Sequence, residues 1–239
     1  MSAALSLSDI LVRPDVWRGR LEGAEVPALS SGFAALDEEL PGGGWPRGAL
    51  SELLADETGI GECALLLPVL KAMREEGRWS VLIGPPHGLH APAWGAGGAD
   101  CARLAVIAPA SRRDLLWATE QALASGAAGA VVCWANAVDP AQVRRLQVAV
   151  SGRSTLAFLF RPLRARPEAS AAPLRLILSP GRRGMLGVNV LKRRGPPCGR
   201  TLFLDVPRPL AWREDHDASL ARPASAASAS RSQRPIAVA

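Results

Sequence analysis

Residues 49–63 read ALSELLADETGIGEC and carry the strongest local indication of the fold. Its apolar first half predicts a short buried strand over residues 49–55, and the glycines near its end predict a tight loop. A helix is expected over residues 61–76, kinked at Pro68, because a proline inside a helix removes one hydrogen bond. A strand, a glycine-bearing loop and a helix in this order are typical of α/β proteins.

Apolar strand-like segments alternate with helices downstream of this stretch. Helices are expected over residues 111–125, where Ser111 and Asp114 form a capping box, and after Asp139, with Pro140 in the first turn. Strands separated by helices predict a mostly parallel sheet. The strands are expected at residues 79–84, 103–108, 129–134 and 154–160.

The alternation of predicted strands and helices ends after residue 161. Segments 174–178, 185–192 and 201–206 have strand character and short connections, so they predict an antiparallel extension. Upstream, a helix is expected over residues 32–40 behind a serine cap, followed by a glycine-rich loop over 41–48. The predicted organisation is an arm (1–29), one α/β domain (30–206) and a disordered Ala/Ser/Arg-rich tail (207–239).

The phosphate-loop template G-x-x-x-x-G-K-[ST] falls on residues 56–63. Gly61 fits the second glycine and Gly59 can also turn tightly, but Asp56 replaces the first glycine. Glu62 stands where the lysine would neutralise phosphate charge, and Cys63 where a hydroxyl would bind magnesium. We therefore expect a degenerate loop that binds no nucleotide, and no cofactor.

Other candidate catalytic groups are weak. The strand over 79–84 is followed by Pro85, Pro86 and His87, and the strand over 129–134 ends in Cys133 and Trp134, so neither presents a catalytic carboxylate. His87 and His90 lack a third metal ligand nearby in sequence, so no metal site is expected. Because the lysine, hydroxyl and carboxylate positions of an ATPase are all substituted, no enzyme is expected either. Of the tryptophans, Trp45 and Trp212 are expected to be exposed.

Charge is distributed unevenly along the chain. Residues 1–80 carry 7 basic and 13 acidic residues, whereas residues 151–239 carry 16 basic and 5 acidic ones. An arginine-rich final third favours contact with phosphates or an acidic partner, although a solvated basic face is the alternative reading. The candidate contacts are Arg161, Arg164, Arg166, Arg182, Arg183, Lys192, Arg193, Arg194, Arg200 and Trp212.

Composition limits the class of protein. The 239 residues are 48% hydrophobic and 21% charged, which fits a globular domain. No apolar run reaches the roughly 18 residues of a membrane span, and the start does not resemble a secretory signal. Four cysteines far apart suggest free thiols, so a cytoplasmic location is expected.

Residues 30–54, SSGFAALDEELPGGGWPRGALSELL, resemble the opening of the RecA core, and in this form they are similar to the ImuA family. The likeness continues through TGIGECALLLPVL, RWSVLIGPP and FLFRP and covers roughly residues 30–206. ImuA proteins are RecA-like accessory proteins of bacterial DNA-damage mutagenesis. The implied fold is a RecA-like core, with a mostly parallel sheet flanked by helices and a C-terminal antiparallel extension.

Residues 51–162 also resemble SulA, the damage-induced inhibitor of the cell-division GTPase FtsZ. SELL, ALLLPVL, RWSVLIGPP, ALASG and FLFRP carry this second likeness. SulA lacks the segment over 30–48 and the long basic C-terminus, so ImuA is favoured.

The ImuA resemblance implies a non-catalytic subunit in SOS-induced translesion synthesis. Its implied partners are ImuB, an inactive relative of Y-family polymerases, a DnaE-type error-prone polymerase and RecA itself, with weak DNA contact and association with the nucleoid after damage. The alternatives are an FtsZ-binding division inhibitor, a RecA-like ATPase with an unorthodox loop, and a direct DNA-binding protein.

Overall fold

An eight-stranded sheet organises residues 27–196 and 198–207, which are the residues described by the computed structural model. The predicted tail with Trp212, and most of the predicted arm, lie outside these residues. A two-residue strand, β1 (Ala28–Leu29), pairs with β2 (Trp45–Pro46) apart from the large sheet. The strands of the large sheet are β3 (Leu50–Leu54), β4 (Trp79–Ile83), β5 (Leu104–Ile107), β6 (Ala128–Trp134), β7 (Leu156–Arg161), β8 (Leu174–Pro180), β9 (Leu186–Lys192) and β10 (Thr201–Leu204).

The strand order is β10-β9-β8-β3-β7-β6-β4-β5, which places β3 inside the sheet. Every β3 residue is buried, as expected for a strand covered on both faces. Strands β4 to β8 lie parallel to their neighbours on the β3 side, and only β9 and β10 run antiparallel. The predicted antiparallel extension is present, since β8 pairs with β9 and β9 with β10 in antiparallel fashion, but β8 also pairs with β3 in parallel, which the sequence pattern did not predict. The connection after β7 is long enough for a crossover, so β8 joins β3 in parallel.

Five α-helices surround the sheet in the described residues. A small helix α1 (Ala34–Asp37) and α2 (Leu67–Glu75) contribute to one apolar cluster, which includes Leu36, Val69 and Met73. On the other face, α4 (Arg112–Ser125) and α5 (Pro140–Val150) contribute Leu123, Val143 and Leu146 to a second cluster. The remaining helix is α3 (Ala91–Ala96), which the sequence pattern did not predict. The mixed α/β architecture with a mostly parallel sheet is confirmed.

Local capping explains where these helices begin. The Asp139 side chain accepts from Gln142 N–H and the Gln142 side chain accepts in return, so the predicted box at α5 is present. At α4, Ser111 accepts from Asp114 N–H as predicted, but its hydroxyl donates to the Asp114 carboxylate at 2.7 Å. The α4 motif is thus a one-sided cap.

Two predicted helices are shorter than expected. The segment over 32–40 is α-helical only in α1, because the chain turns at the glycines that follow. The segment over 61–76 starts with a 3-10 turn, Ala64–Leu66, before α2. Pro68 lies in the first turn of α2, where no intrahelical N–H is needed, so it helps to start the helix and does not kink it.

Trp45 is fully buried, so the expectation that it is exposed is wrong. Its ring meets Phe158 of β7 edge to face, with centroids 5.1 Å apart. The pairing of β2 with β1 carries this ring inward, and burying a tryptophan removes a large apolar area from water. None of the helices in the described residues has the length and apolarity needed to span a bilayer.

Candidate functional site

The segment from Asp56 to Cys63 lies at the carboxyl end of β3, where α/β proteins place ligand sites. Gly59 and Gly61 have φ values of +78° and +104°, so the predicted tight loop is present. Both glycines turn their N–H groups toward one side chain of the loop itself, that of Glu62.

Glu62 closes this loop from within. Its Oε1 accepts from Gly59 N–H at 2.9 Å and its Oε2 accepts from Gly61 N–H at 3.1 Å. The residue is only 6% exposed. Backbone N–H groups at a helix entrance are the donors that normally receive a phosphate. Here a carboxylate of the same chain already receives them, so the loop does not fit a nucleotide phosphate.

Neighbouring segments pack against the loop from two sides. The Gly61 α-carbon faces Val206, since a Cβ added there would come within 2.6 Å of Val206 Cγ2. Asp56 Oδ1 accepts from Leu163 N–H at 2.9 Å, which ties the loop to the segment after β7. These contacts restrict the space that a phosphate would need.

Cys63 occupies the position of a magnesium-binding hydroxyl and offers a poor substitute. Burial, with a smaller contribution from the Glu62 carboxylate, raises the pKa of the Cys63 thiol to about 12. The thiol therefore remains protonated at neutral pH, and a thiol is a weak ligand for a hard cation.

Neither β4 nor β6 is followed directly by a carboxylate. His87 follows β4 and its Nε2 lies 3.2 Å from Thr58 Oγ1, so the two segments adjoin. At the end of β6, Cys133 is buried and Trp134 stacks on Phe160, with centroids 5.1 Å apart. No cluster of three or more metal-ligating side chains occurs among the described residues.

A buried ion network joins three neighbouring strands beside the loop. Glu52 of β3 is fully buried and accepts from Arg161 of β7 at 2.9 Å and from Arg175 of β8 at 2.5 Å. Arg161 also pairs with Glu168 at 2.6 Å and donates to the Val138 carbonyl. The two arginines thus neutralise the buried Glu52 carboxylate.

Sequence reasoning missed this network, although a signal was present. A carboxylate in the middle of the apolar run LSELL needs a cationic partner if the strand is buried. The expectation that Arg161 contacts a partner is wrong, because its side chain is only 2% exposed and both terminal nitrogens are bound to groups of the chain itself.

The other candidate cations fall into two groups at opposite ends of the strands. Arg164, Arg166 and the turn with Arg182 follow the carboxyl ends of β7 and β8 and are exposed there. The second group follows β9 or precedes β10, so the arginines and lysine do not form one continuous stripe. Its members are Lys192, Arg193, Arg194 and Arg200.

Several members of the second group have acidic or carbonyl partners within the chain. Arg193 pairs with Glu39 at 2.6 Å, and Arg200 reaches the same carboxylate at 2.8 Å. Lys192 donates to the Ser170 carbonyl at 2.8 Å. Arg194 is exposed. The Arg183 backbone lies in the 3-10 turn between β8 and β9.

The fold and the loop together define an α/β protein whose phosphate-loop position is filled by its own carboxylate. Comparison with known proteins then gives two likenesses. The family described as cell division inhibitor SulA matches residues 48–157. Protein ImuA of Caulobacter vibrioides strain NA1000 / CB15N is 32% identical over 132 residues, covering 53% of this chain and 54% of that protein. ImuA of C. vibrioides strain ATCC 19089 / CIP 103742 / CB 15 gives the same values.

The chain spans about half the length of the ImuA proteins that it matches. The crystal structure of SulA from Pseudomonas aeruginosa is 26% identical, with a TM-score of 0.40, and the match covers 47% of this chain and 97% of that one. The similarity to ImuA and to SulA expected from the sequence is confirmed.

Proposed function

We propose that this chain is a non-catalytic, RecA-like subunit of the bacterial response to DNA damage and that it acts in mutagenic translesion synthesis. The similarity to ImuA supports the biological role. The Glu62 carboxylate bound to Gly59 and Gly61 N–H supports the absence of nucleotide turnover. With its phosphate loop closed, the proposed activity of the chain is the binding of partner proteins.

The sheet topology supports the RecA-like part of the proposal. The strand that precedes the loop is interior, with parallel partners on both sides, and the loop leads into the helix that follows. This is the strand–loop–helix context that a phosphate loop requires. The substitution of its chemical groups leaves the scaffold in place.

The proposed partners are an ImuB-type inactive relative of Y-family polymerases, a DnaE-type polymerase complex and RecA. The chain would act in the cytoplasm, at the nucleoid after damage. Exposed arginines such as Arg164, Arg166, Arg182 and Arg194 are proposed contacts for these partners or, weakly, for DNA. If the chain does not bind single-stranded DNA at low salt, or if its affinity does not fall as the salt concentration rises, the proposed DNA contact is contradicted.

Two measurements test the proposal separately. Deletion of the gene in its host should abolish the rise in mutation frequency after ultraviolet damage, and the wild-type copy should restore it. Calorimetric titration of the full chain with Mg-ATP should give no stoichiometric heat. Stoichiometric ATP binding that is lost in Gly61→Ala would contradict the absence of nucleotide, whereas unchanged mutation frequency would contradict the biological role.

A second candidate is an FtsZ-binding inhibitor of cell division, because the SulA match covers the central 48–157. Purified chain should then reduce FtsZ sedimentation in the presence of GTP, and overexpression should lengthen cells. Unchanged cell length together with normal FtsZ polymers would exclude this candidate.

A further inference from the structure

Helices α4 and α5 form a groove on the face of the molecule away from α2. Two adjoining cavities of ≈570 and ≈380 Å³ share Glu120 and Arg145, so they form one continuous depression, the α4–α5 groove. α4 has 14 residues, and at about 1.5 Å per residue it is about 21 Å long. A guest helix of three turns would fit along this length.

The groove exposes apolar side chains that the fold does not use. Trp117 of α4 is 64% exposed and Val148 of α5 is 66% exposed. Both line the groove, with Leu116 beside Trp117. An exposed tryptophan beside aliphatic groups is typical of the energetic centre of a protein interface.

The charges around this apolar floor have one dominant sign. Four arginines line the groove and Glu120 is the one acidic lining residue among the described residues; it is paired with Arg145 at 2.5 Å. Within the described residues, Arg113 and Arg144 form no ion pair. The four arginines are Arg112, Arg113, Arg144 and Arg145.

We infer that the α4–α5 groove binds an acidic amphipathic helix of a partner protein. The apolar face of that helix would cover Trp117 and Val148, and its flanking carboxylates would meet Arg113 and Arg144. The floor favours a protein over a nucleic acid, because single strands bind mainly by stacking on aromatic rings and Trp117 is the one aromatic lining residue among the described residues, whereas Leu116 and Val148 are aliphatic.

This inference goes beyond the proposed function, since it assigns a binding surface and the chemistry of its occupant. It holds whether the chain acts in translesion synthesis or in inhibition of cell division. A displayed library of 14-residue helices tests it, with apolar residues fixed at i, i+3, i+4 and i+7 and the flanking positions drawn from Glu, Lys, Gln and Ser. Sorting with the full chain should enrich Glu over Lys at those positions. Enrichment of Lys, no charge preference, or no binder would overturn the inference.

Variants then locate the binding. Trp117→Ala should weaken the selected peptide by about 30-fold or more, as for an interface hot spot. The matched control is Trp79→Ala on β4, which removes a tryptophan that is 49% exposed outside the groove and should leave affinity unchanged. Equal affinity of Trp117→Ala and wild type would overturn the assignment.

Charge reversal gives an independent readout. The double variant Arg113→Glu/Arg144→Glu should lose the acidic peptide and, in a repeated sort, enrich Lys. Circular dichroism would verify that each variant is folded. A fluorescein-labelled dT20 strand serves as the competing probe. If the wild-type chain binds dT20, the same variants lose that binding, and no peptide binds, the inference is overturned in favour of nucleic acid.

Discussion

The loop after β3 and the α4–α5 groove differ in whether their side chains and backbone donors already have partners within the chain. In the loop, the donors that could hold a ligand are already bound to Glu62, and Gly61 is covered by Val206. In the groove, Trp117 is largely exposed and Arg113 carries no ion pair with a described residue. The position that family resemblance marks as a site is closed, and the surface without a motif is open.

Sequence position alone therefore does not locate a binding surface. A degenerate motif can become part of the structural core when its new residues find partners. Glu52, with Arg161 and Arg175, extends that internally satisfied region under the loop. The following substitutions separate the closed region from the open one.

Glu52→Ala has the largest expected effect. It leaves Arg161 and Arg175 buried without their shared carboxylate, so the free energy of unfolding should fall by roughly 3–5 kcal/mol. Urea denaturation followed by circular dichroism measures this loss. The control is Glu168→Ala, which removes a partner of Arg161 that is 41% exposed and should cost about 1 kcal/mol or less. Equal losses of unfolding free energy in Glu52→Ala and Glu168→Ala would contradict the larger role given to the buried carboxylate.

Gly61→Ala should come next. A left-handed φ costs an alanine about 1–2 kcal/mol, and the contact with Val206 adds roughly 1–3 kcal/mol of overpacking. Gly59→Ala is the matched control, since its φ is also positive but nothing lies within 4 Å of an added Cβ. Thermal unfolding should therefore give a lower Tm for Gly61→Ala than for Gly59→Ala. A reversed order would contradict the packing of Val206 on the loop.

Glu62→Ala should lower the free energy of unfolding by about 2 kcal/mol, because hydrogen bonds from Gly59 and Gly61 to a charged acceptor are lost. Glu57→Ala removes an exposed carboxylate of the same loop and should change stability by about 0.5 kcal/mol or less. Hydrogen exchange of the Gly59 and Gly61 amides should accelerate only in Glu62→Ala. Equal exchange in both variants would refute the internal closure.

Trp117→Ala should have the smallest effect on folding. Its side chain is 64% exposed, so the free energy of unfolding should change by about 0.5 kcal/mol or less. Urea denaturation of this variant and of Trp45→Ala makes the contrast, because Trp45 is fully buried and its loss should cost roughly 3–5 kcal/mol. A large loss for Trp117→Ala would mean that the open groove is part of the core.

Much of the sheet was predictable because its strands are short apolar runs separated by capped helices. The bounds of β3, β4 and β6 and the cap at Asp139 follow directly from periodicity and capping chemistry. The direction of β8 was not predictable, since parallel and antiparallel strands have the same local pattern. Pro68 was misread because a proline is tolerated only in the first turn, and that position depends on where the helix starts.

At the candidate site, local chemistry and tertiary contacts made separate contributions. Residue identity alone showed that Glu62 and Cys63 cannot perform the roles of a phosphate-loop lysine and hydroxyl. Only the folded loop brings the Glu62 carboxylate onto the Gly59 and Gly61 amides, because that contact depends on backbone dihedrals at both glycines. Only the sheet order brings Arg161 and Arg175 to the two sides of Glu52, turning a predicted surface arginine into a buried one. Local patterns therefore determine the elements, whereas long-range packing decides which charges are satisfied inside and which remain for a partner.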